Sequence, residues 1–185
     1  MTGPILETRR LVLRQPQMDD ADAIARQLDN FAVSGNLARV PYPYRLADAI
    51  AWLRLWRPGR PPEETNFAIT LEGQGLVGQI GFHLGPDRLP VLGYWLGQPY
   101  WNRGLMTEAA EATIAWFFET AVDERIRSGV FHFNRASLAI QAKLGFTQTG
   151  SSLMLCLARN EEVRHIDTEL TRASWRARAT QGHAS

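Results

Sequence analysis

The chain has 185 residues, of which 45% are apolar, so it is long and apolar enough to bury the core of one folded domain. That composition excludes a disordered segment, and a net charge of +1 provides no basic footprint for bulk nucleic-acid binding. No apolar run reaches the length of a membrane span, and the N-terminal residues do not resemble a signal peptide. We therefore expect a cytoplasmic protein without a membrane or nucleic-acid partner, with one domain over residues 1–175 and a polar tail at 176–185.

Hydrophobic periodicity predicts the elements of the first half of the chain. They are, in order, a strand over Arg9–Gln15, a helix to Leu28 capped by Asp19 or Asp20, a stiff loop within Asn36–Arg45, a helix over Leu46–Trp56 ended by Pro58 to Pro62, and a hairpin of Asn66–Leu71 and Leu76–Leu84. The loop is expected to be stiff because each proline of its V-P-Y-P-Y sequence holds itself and the preceding residue extended.

The second half mixes strands with helices. The predicted elements are a strand over Val91–Leu96, a long helix over Leu105–Val122, a strand over Arg125–Phe133, a helix over Arg135–Leu144 stopped by Gly145, and two strands around Leu153–Ala158 and Val163–Thr171. The order of strands and helices is mixed, which argues against a purely parallel, doubly wound sheet.

The single cysteine, Cys156, cannot form an internal disulfide, so its presence fits a reducing compartment. Its apolar neighbours predict a buried strand position. A buried, inert thiol is favoured over a nucleophile, because reactive cysteines need an electropositive and accessible setting.

The stretch Tyr100–Glu108, Y-W-N-R-G-L-M-T-E, has the pattern of a strand end, a turn and a helix start. Gly104 permits a tight turn and the close approach of a ligand to the backbone, and Thr107 and Glu108 suit the first turn of a helix. Arg103 is suited to pair with a phosphate. The stretch is neither a Walker loop nor a dinucleotide fingerprint, because the lysine and the additional glycines of those motifs are missing.

A second stretch, Asn134–Phe146, has the sequence N-R-A-S-L-A-I-Q-A-K-L-G-F. It predicts a strand end, a cap, a short helix and a glycine stop. The Asn134 amide can both donate and accept, and Ser137 falls one turn into the helix near the same place. Lys143 lies near the helix C-terminus, where a cation is favourable in any case.

Two such turns on neighbouring strands would form a cleft with helix N-termini pointing into it. Unpaired N–H groups and the positive ends of the helix dipoles would suit a phosphate-bearing ligand there. Taken alone, each stretch also fits an ordinary loop or helix cap. Their combination, in this order and spacing, is far more specific.

These motifs resemble those of the GNAT-superfamily N-acetyltransferases, and within them the RimJ/RimL-like branch. The resemblance spans nearly the whole chain. It rests on the Arg9–Arg14 strand, the P-Y-P-Y loop, L-G-Y-W-L at Leu92–Leu96, W-N-R-G-L-M-T-E-A at Trp101–Ala109, N-x-x-S-x-x-x-x-x-K-L-G-F at Asn134–Phe146 and the closing E-L-T-R-A-S-W. The motifs at Trp101–Ala109 and Asn134–Phe146 are the specific ones.

The resemblance implies an α/β fold of mixed α+β type, with a twisted, mostly antiparallel seven-stranded sheet that has a splayed parallel pair in its middle and about four flanking helices. Acetyl-CoA would lie in the splay as a cosubstrate, and no metal is implied. The backbone amides from Asn102 to Thr107 would bind the pyrophosphate, the main chain of Tyr94–Leu96 would bind the pantetheine and polarise the thioester, and Lys143 would reach the ribose phosphate. The implied cofactor-binding residues are Tyr94, Trp95, Leu96, Asn102, Arg103, Gly104, Leu105, Met106, Thr107, Asn134, Ser137 and Lys143.

Acetyl transfer needs a neutral amine, a donor for the developing oxyanion and a proton for the departing thiolate. Many relatives carry a tyrosine acid at the position of Gln141, so Ser137 becomes the predicted proton donor, with Asn134 and the Leu96 backbone as the other catalytic groups. Relatives often carry glycine or alanine at the position of Met106, which makes the loop bulkier here.

A general base is less evident, because many relatives carry a glutamate where this chain has Val91. His83 and His132 are candidate substitutes, since imidazole titrates near neutral pH, although each also fits a plain structural role. A water chain would make a base unnecessary. Together with these histidines, Tyr42, Tyr44 and Trp95 are the predicted acceptor-site residues.

The sequence thus predicts a monomeric or homodimeric enzyme that transfers an acetyl group from acetyl-CoA to a primary amine by direct attack in a ternary complex. The acceptor is either a protein or peptide N-terminus or a small molecule. Because the tyrosine and the glutamate are missing, an acyl-CoA-binding or sensing module without catalysis is the alternative. A nucleotide-binding domain without acyl chemistry is the third possibility.

Overall fold

A computed structural model of the protein describes residues 3–56 and 59–181. The strands are β1 (Leu6–Glu7), β2 (Leu11–Arg14), β3 (Asn66–Leu71), β4 (Gly75–Leu84), β5 (Pro90–Leu96), β6 (Arg125–Phe131), β7 (Thr147–Cys156) and β8 (Glu161–Thr171). The α-helices are α1 (Ala21–Leu28), α2 (Phe31–Ser34), α3 (Leu46–Leu53), α4 (Leu105–Thr120), α5 (Arg135–Leu144) and α6 (Arg172–Gln181).

The described strands form one sheet in the order β1-β2-β3-β4-β5-β6-β8-β7. Every neighbouring pair is antiparallel except β5 and β6, which run parallel in the middle of the sheet. The predicted mixed fold with one central parallel pair is therefore confirmed. The long helix α4 connects these two strands, as a parallel pair requires a crossover.

The described part of the chain contains eight strands and six α-helices, rather than the seven and about four expected. The additional strand β1 is only two residues long. Strand β7 begins at Thr147, earlier than the expected Leu153. The sequence did not predict this first half, because it is polar, lies exposed at the sheet edge and lacks an apolar alternation. The additional helices are the short α2 and the C-terminal α6. The segment expected as a tail begins within α6, Pro58 lies outside the described residues, and the domain division at residue 175 stays a prediction.

Apolar side chains form a core on each face of the sheet. The larger core lies under α4 and α5 and includes Phe82, Phe117 and Leu144, which are fully buried. The second core lies under α1 and α3 and includes Ile24 and Ala49. The parallel pair is thus held between two packed layers, which fixes the positions of the strand ends at the candidate site.

Candidate active site

The central parallel strands separate almost as soon as they meet. The two strands are paired in the ladder at one position, Val91 with Arg127. One residue further along, the Ser128 hydroxyl donates to the Leu92 carbonyl at 2.9 Å, in place of a main-chain donor from β6. Beyond this point no ladder pair joins the two strands, so the sheet is splayed between their carboxyl ends.

The main chain of β5 faces this splay. Gly97 N–H donates to the Val77 carbonyl of β4 at 2.9 Å, and main-chain groups alternate in direction along a strand, so those of Tyr94 and Leu96 point away from β4. The Leu96 carbonyl accepts the Trp101 indole N–H at 2.8 Å. The Leu96 N–H and both main-chain groups of Tyr94 face the splay without ladder partners.

The turn after β5 presents a run of free donors. Asn102 and Gly104 both have left-handed backbone conformations, with φ of 57° and 74°. The N–H groups from Asn102 through Thr107 make no hydrogen bond within the described residues, and the first N–H to return to the helix is that of Glu108, which donates to Gly104. Six consecutive donors at the positive end of α4 form a turn suited to an anion, which we call the anion-binding turn.

The side chains of this turn leave the donors accessible. Met106 is 5% exposed and Leu105 is 1% exposed, because both point into the core under α4. The sequence suggested that the bulk of Met106 would fill the space beside the turn. The structure shows instead that Met106 packs into the core and leaves that space open. The exposed side chain of Arg103 remains at the mouth of the turn, and its carbonyl is held by the Arg10 guanidinium at 2.9 Å.

Glu108 fixes the first turn of α4 to the start of β2. Its carboxylate accepts the Thr8 hydroxyl at 2.7 Å, the Arg10 N–H at 2.8 Å and the Arg10 Nε–H at 2.7 Å. Partial burial opposes ionisation, but the hydrogen bonds from Thr8 and Arg10 and the charge of Arg10 outweigh it and lower the pKa of Glu108 from its ordinary value of 4.5.

We expect Glu108→Gln to lower the free energy of unfolding at pH 7 by about 1–2 kcal/mol, since it weakens three hydrogen bonds to a charged acceptor. A lowered folded-state pKa means that the stabilisation is complete above about pH 4.5 and is lost as the pH falls through the folded value. Urea denaturation of both proteins should therefore show a difference that shrinks below that pH. Glu111→Gln, at a more exposed ion pair on the same helix, is the control, and an equal effect of the two changes would contradict the prediction.

The wall opposite β5 is formed by the start of α5. Asn134 caps this helix, since its side-chain oxygen accepts the Ser137 N–H at 3.1 Å. The Ser137 side chain is half-buried and interacts with the Tyr94 hydroxyl. Across the splay, the Tyr94 hydroxyl donates to the Ser137 carbonyl at 3.4 Å, and burial, only partly offset by contacts with Ser137 and Gln141, raises the pKa of Tyr94 to about 12. Both hydroxyls are therefore protonated donors at neutral pH.

A chain of buried hydrogen bonds closes the floor of the splay. The Thr168 hydroxyl donates to Gln141 Oε1 at 2.7 Å, Gln141 Nε2 donates to the Ser128 hydroxyl at 2.8 Å, and Ser128 donates to Leu92. Gln141 is 1% exposed and uses both ends of its amide, so it braces β8, α5 and β6 and has no proton to give.

Comparison with known proteins identifies this arrangement. The sequence profile of the acetyltransferase (GNAT) domain matches residues 10–147, which include the splay, the anion-binding turn and α5. The chain belongs to the GNAT family of acetyltransferases. It is 30% identical over 155 residues to the uncharacterised N-acetyltransferase YoaA of Bacillus subtilis, covering 80% of this chain and 85% of that relative.

Two further comparisons concern acetyltransferases whose acceptors are named. The [ribosomal protein uS5]-alanine N-acetyltransferase of Escherichia coli is 33% identical over 84 residues, which are 45% of this chain and 43% of the enzyme. A solved structure of RimL, the ribosomal L7/L12 alpha-N-protein acetyltransferase, in complex with coenzyme A superposes with a TM-score of 0.76 at 16% identity, covering 91% of this chain and 98% of RimL. At that identity the superposition shows a shared fold.

The remaining predicted residues of this GNAT domain are spread more widely. Lys143 is exposed near the end of α5, about 14 Å along the helix from Asn134. His83 pairs with Val91 at the closed end of the splay, and burial and then the charge of Arg39 lower its pKa to about 4. His132 is exposed just beyond β6, against the Arg164 carbonyl. The two histidines are thus not brought together, and His83 is a weak base at neutral pH.

The predicted aromatic residues of the acceptor site differ in how accessible they are. Tyr42 is 45% exposed and contacts the Phe31 ring edge to face. Trp95 is half-buried on β5 and donates to Gln79 Oε1 at 3.0 Å. Tyr44 is 6% exposed in the core of α1 and α3, where burial and then the charge of Asp48 raise its pKa to about 12. Tyr44 is therefore part of the core rather than of an accessible wall.

Several polar residues of the site were not predicted from the sequence. Ser128 and Thr168 complete the buried chain of hydrogen bonds around Gln141. The Trp101 indole N–H donates a hydrogen bond to the Leu96 carbonyl. His165 and Asp167 form a hydrogen-bonded pair on β8, with Nδ1 and Oδ1 2.7 Å apart. The sequence signal for the pair was the H-x-D spacing in a strand, which places both side chains on one face.

Other predictions concern the protein outside the splay. Cys156 is fully buried, as predicted, with its thiol toward the Leu37 carbonyl at 3.5 Å, although Leu153, Leu155 and Leu157 are exposed. In the part of the chain that the structure describes, no helix combines the length and apolar character needed to cross a bilayer. Over residues 3–56 and 59–181 no cluster of three potential metal ligands is found.

Proposed function

We propose that this GNAT domain transfers the acetyl group of acetyl-CoA to a primary amine by direct attack in a ternary complex. One observation carries the proposal: the free N–H groups from Asn102 to Thr107 lie at the end of the same strand whose unpaired main chain faces the splay. An anion-binding turn that continues into an extended hydrogen-bonding edge suits a long ligand with a phosphate end and an amide-containing arm.

In this proposal each part of acetyl-CoA has a protein partner. The amides from Asn102 to Thr107 bind the pyrophosphate, and the main chain of Tyr94 and the Leu96 N–H bind the pantetheine and polarise the thioester carbonyl. Arg103 and Lys143 are the cations available to the outer phosphates. Asn134 orders the start of α5 beside the thioester.

The acceptor is a primary amine, and we propose a peptide N-terminus as its first candidate. The support is the sequence similarity to the uS5-alanine N-acetyltransferase and to the RimJ/RimL-like motifs. A peptide beginning with alanine is the natural first acceptor to test, beside free amino acids, polyamines and aminoglycosides. Spectroscopic detection of released CoA thiol over this panel measures turnover directly.

The same measurements separate the two alternative functions. Tight acetyl-CoA binding without thiol release on any amine would contradict the transferase and favour an acyl-CoA sensor. A melting temperature that neither CoA nor acetyl-CoA raises would contradict both and leave a nucleotide-binding domain without acyl chemistry.

We expect Ser137→Ala to lower kcat about 10- to 100-fold while changing the Kd of acetyl-CoA less than about threefold, since its hydroxyl is the proposed proton donor to the thiolate. Initial rates and calorimetric titration check the two quantities. Tyr94→Phe is the matched variant, because it removes the other hydroxyl donor at this end of the splay. A loss of kcat in Tyr94→Phe but not in Ser137→Ala would assign the acid to Tyr94 instead.

A further inference from the structure

His165 and Asp167 lie on the face of the sheet from which an acceptor can reach the splay. On the α4 and α5 face, the splay is closed by Tyr94 and the buried chain around Gln141. The opposite face is open above Gly93, where an added side chain would meet no atom within 4 Å. The space over Gly93 is therefore an open route by which an amine can approach a thioester bound in the splay.

The imidazole of His165 reaches toward this opening from β8. Gly129 of β6 lies level with Gly93 and on the same face, since each is two residues beyond the Val91–Arg127 pair. The His165 ring lies over Gly129: an added Cβ there would overlap the ring and would lie 2.8 Å from Nε2. Glycine at position 129 leaves room for the ring to lie over β6, on the same face of the sheet as Gly93 and on the side of the splay opposite β5.

Asp167 sets the orientation and the tautomer of this ring. Its Oδ1 accepts from His165 Nδ1 at 2.7 Å and from the Ser152 hydroxyl of β7 at 3.0 Å. A carboxylate accepts only, so the neutral imidazole carries its proton on Nδ1 and its lone pair on Nε2. The Phe131 ring packs edge to face against His165, with centroids 5.9 Å apart.

The free nitrogen remains accessible to a ligand. The His165 side chain is 13% exposed, yet Nε2 is not among the buried polar atoms that are sealed from solvent without a partner. Gly129, Phe131 and Asp167 lie against the ring, and of these only Asp167 is charged. Two residues further along the same face, Arg127 of β6 and Glu169 of β8 are charged, and they pair with Asp87 and Arg125. A half-buried imidazole oriented by a carboxylate, with an open Nε2, is the arrangement that general bases use.

We propose that His165 is the general base that deprotonates the acceptor amine and that Asp167 positions it, an assignment that rests on the proposed acetyl transfer. The ammonium proton passes to Nε2, directly or through one water. The amine lone pair then forms the C–N bond to the thioester carbonyl carbon, and the C–S bond breaks. The thiolate takes the hydroxyl proton of Ser137, which the second amine proton replaces through water. His165 returns its proton to solvent, so one proton is released per amide formed.

The test compares the pH dependence of kcat/KM in the wild-type protein and in His165→Gln. We expect His165→Gln to lower kcat/KM about 100-fold near pH 7 and to move the acidic limb of the profile to higher pH, where the free amine is neutral. The defect should shrink at alkaline pH, where the acceptor amine loses its own proton without help. The Kd of acetyl-CoA should be unchanged, which separates a loss of base from a loss of the fold.

A further variant keeps the imidazole and changes the carboxylate that orients it. Asp167→Asn should lower kcat/KM and shift the pH profile. Glu169→Gln is the control, because it changes a carboxylate on the same face of β8 that pairs with Arg125 instead. It should leave kcat/KM within about twofold.

The outcomes distinguish this assignment from the proposed function. A wild-type protein that releases no CoA thiol with any amine overturns the acetyl transfer and the assignment with it. Wild-type turnover with an unchanged rate and profile in His165→Gln overturns the assignment alone. An equal loss of rate at every pH in His165→Gln also overturns it, because that result indicates a structural role.

Discussion

Gly104→Val is expected to weaken acetyl-CoA binding at least about tenfold. Gly104 has φ of 74°, a conformation in which a β-branched residue is strained. Its Cβ would be 3.5 Å from the nearest atom, so the expected cause is backbone strain rather than crowding. Relaxing the strain turns the free N–H groups of Asn102–Thr107 away from one another. Loss of one hydrogen bond to a phosphate corresponds to about 1.5–3 kcal/mol.

Gly73→Val separates the loss of the anion-binding turn from strain in general. Gly73 has φ of 71°, also without neighbours in contact, but it lies in the β3–β4 hairpin and outside the splay. Both variants should lower the melting temperature, whereas only Gly104→Val should raise the Kd of acetyl-CoA measured by calorimetric titration. Wild-type affinity in Gly104→Val would show that the pyrophosphate binds elsewhere.

The donor side of the site could be predicted because its chemistry is local in sequence. Gly104 lies between a strand and a helix. The left-handed turn at this position is determined mainly by the residues of the turn itself. The same holds for α5, whose cap at Asn134 and stop at Gly145 are observed at the predicted residues. Short-range backbone preferences decide these features, so the sequence carries their signal directly.

The acceptor side could not be predicted, because it depends on strand register. His165 acquires its role from Asp167 on its own strand, Ser152 on β7 and Gly129 on β6. A sequence pattern indicates which residues share a face, but it does not show that a glycine on the neighbouring strand β6 leaves room for the ring. For that reason His83 and His132 were equally reasonable bases before the strand pairing was known.

Two polar residues, Gln141 and Asp20, have roles in the structure that differ from those predicted from the sequence. From the sequence, Gln141 was noted only because it replaces a tyrosine and so lacks a phenolic proton. In the structure its Nε2 and Oε1 atoms hydrogen-bond to β6 and β8 and so join these strands to α5 under the splay. Asp20 was expected to cap α1, but its carboxylate accepts both terminal nitrogens of Arg14 and the Gln17 N–H, which ties β2 to the turn before the helix. Hydrogen-bond partners outside the helix outweigh its local propensity at such positions.

The C-terminal helix contributes the residue with the largest expected effect on stability. Arg172 is 8% exposed and donates to the carbonyls of Phe118, Ala121 and Asp123 and to the Glu124 carboxylate. The carbonyls of Phe118 and Ala121 belong to the C-terminal end of α4, where no intrahelical donor remains and a cation is favourable. We expect Arg172→Met to lower the free energy of unfolding by about 3 kcal/mol, because it leaves several buried carbonyls unpaired.

Urea denaturation can separate this capping role from the ion pair. Glu124 is 74% exposed, so Glu124→Gln should change the free energy of unfolding by less than about 1 kcal/mol. Arg178→Met, one and a half turns further along α6, removes a partly exposed arginine that pairs with Glu111 and should have a similarly small effect. Equal destabilisation by Arg172→Met and Arg178→Met would contradict the capping role. A large effect confined to Arg172→Met would instead show that the segment after β8 stabilises α4, the helix whose N-terminus forms the anion-binding turn.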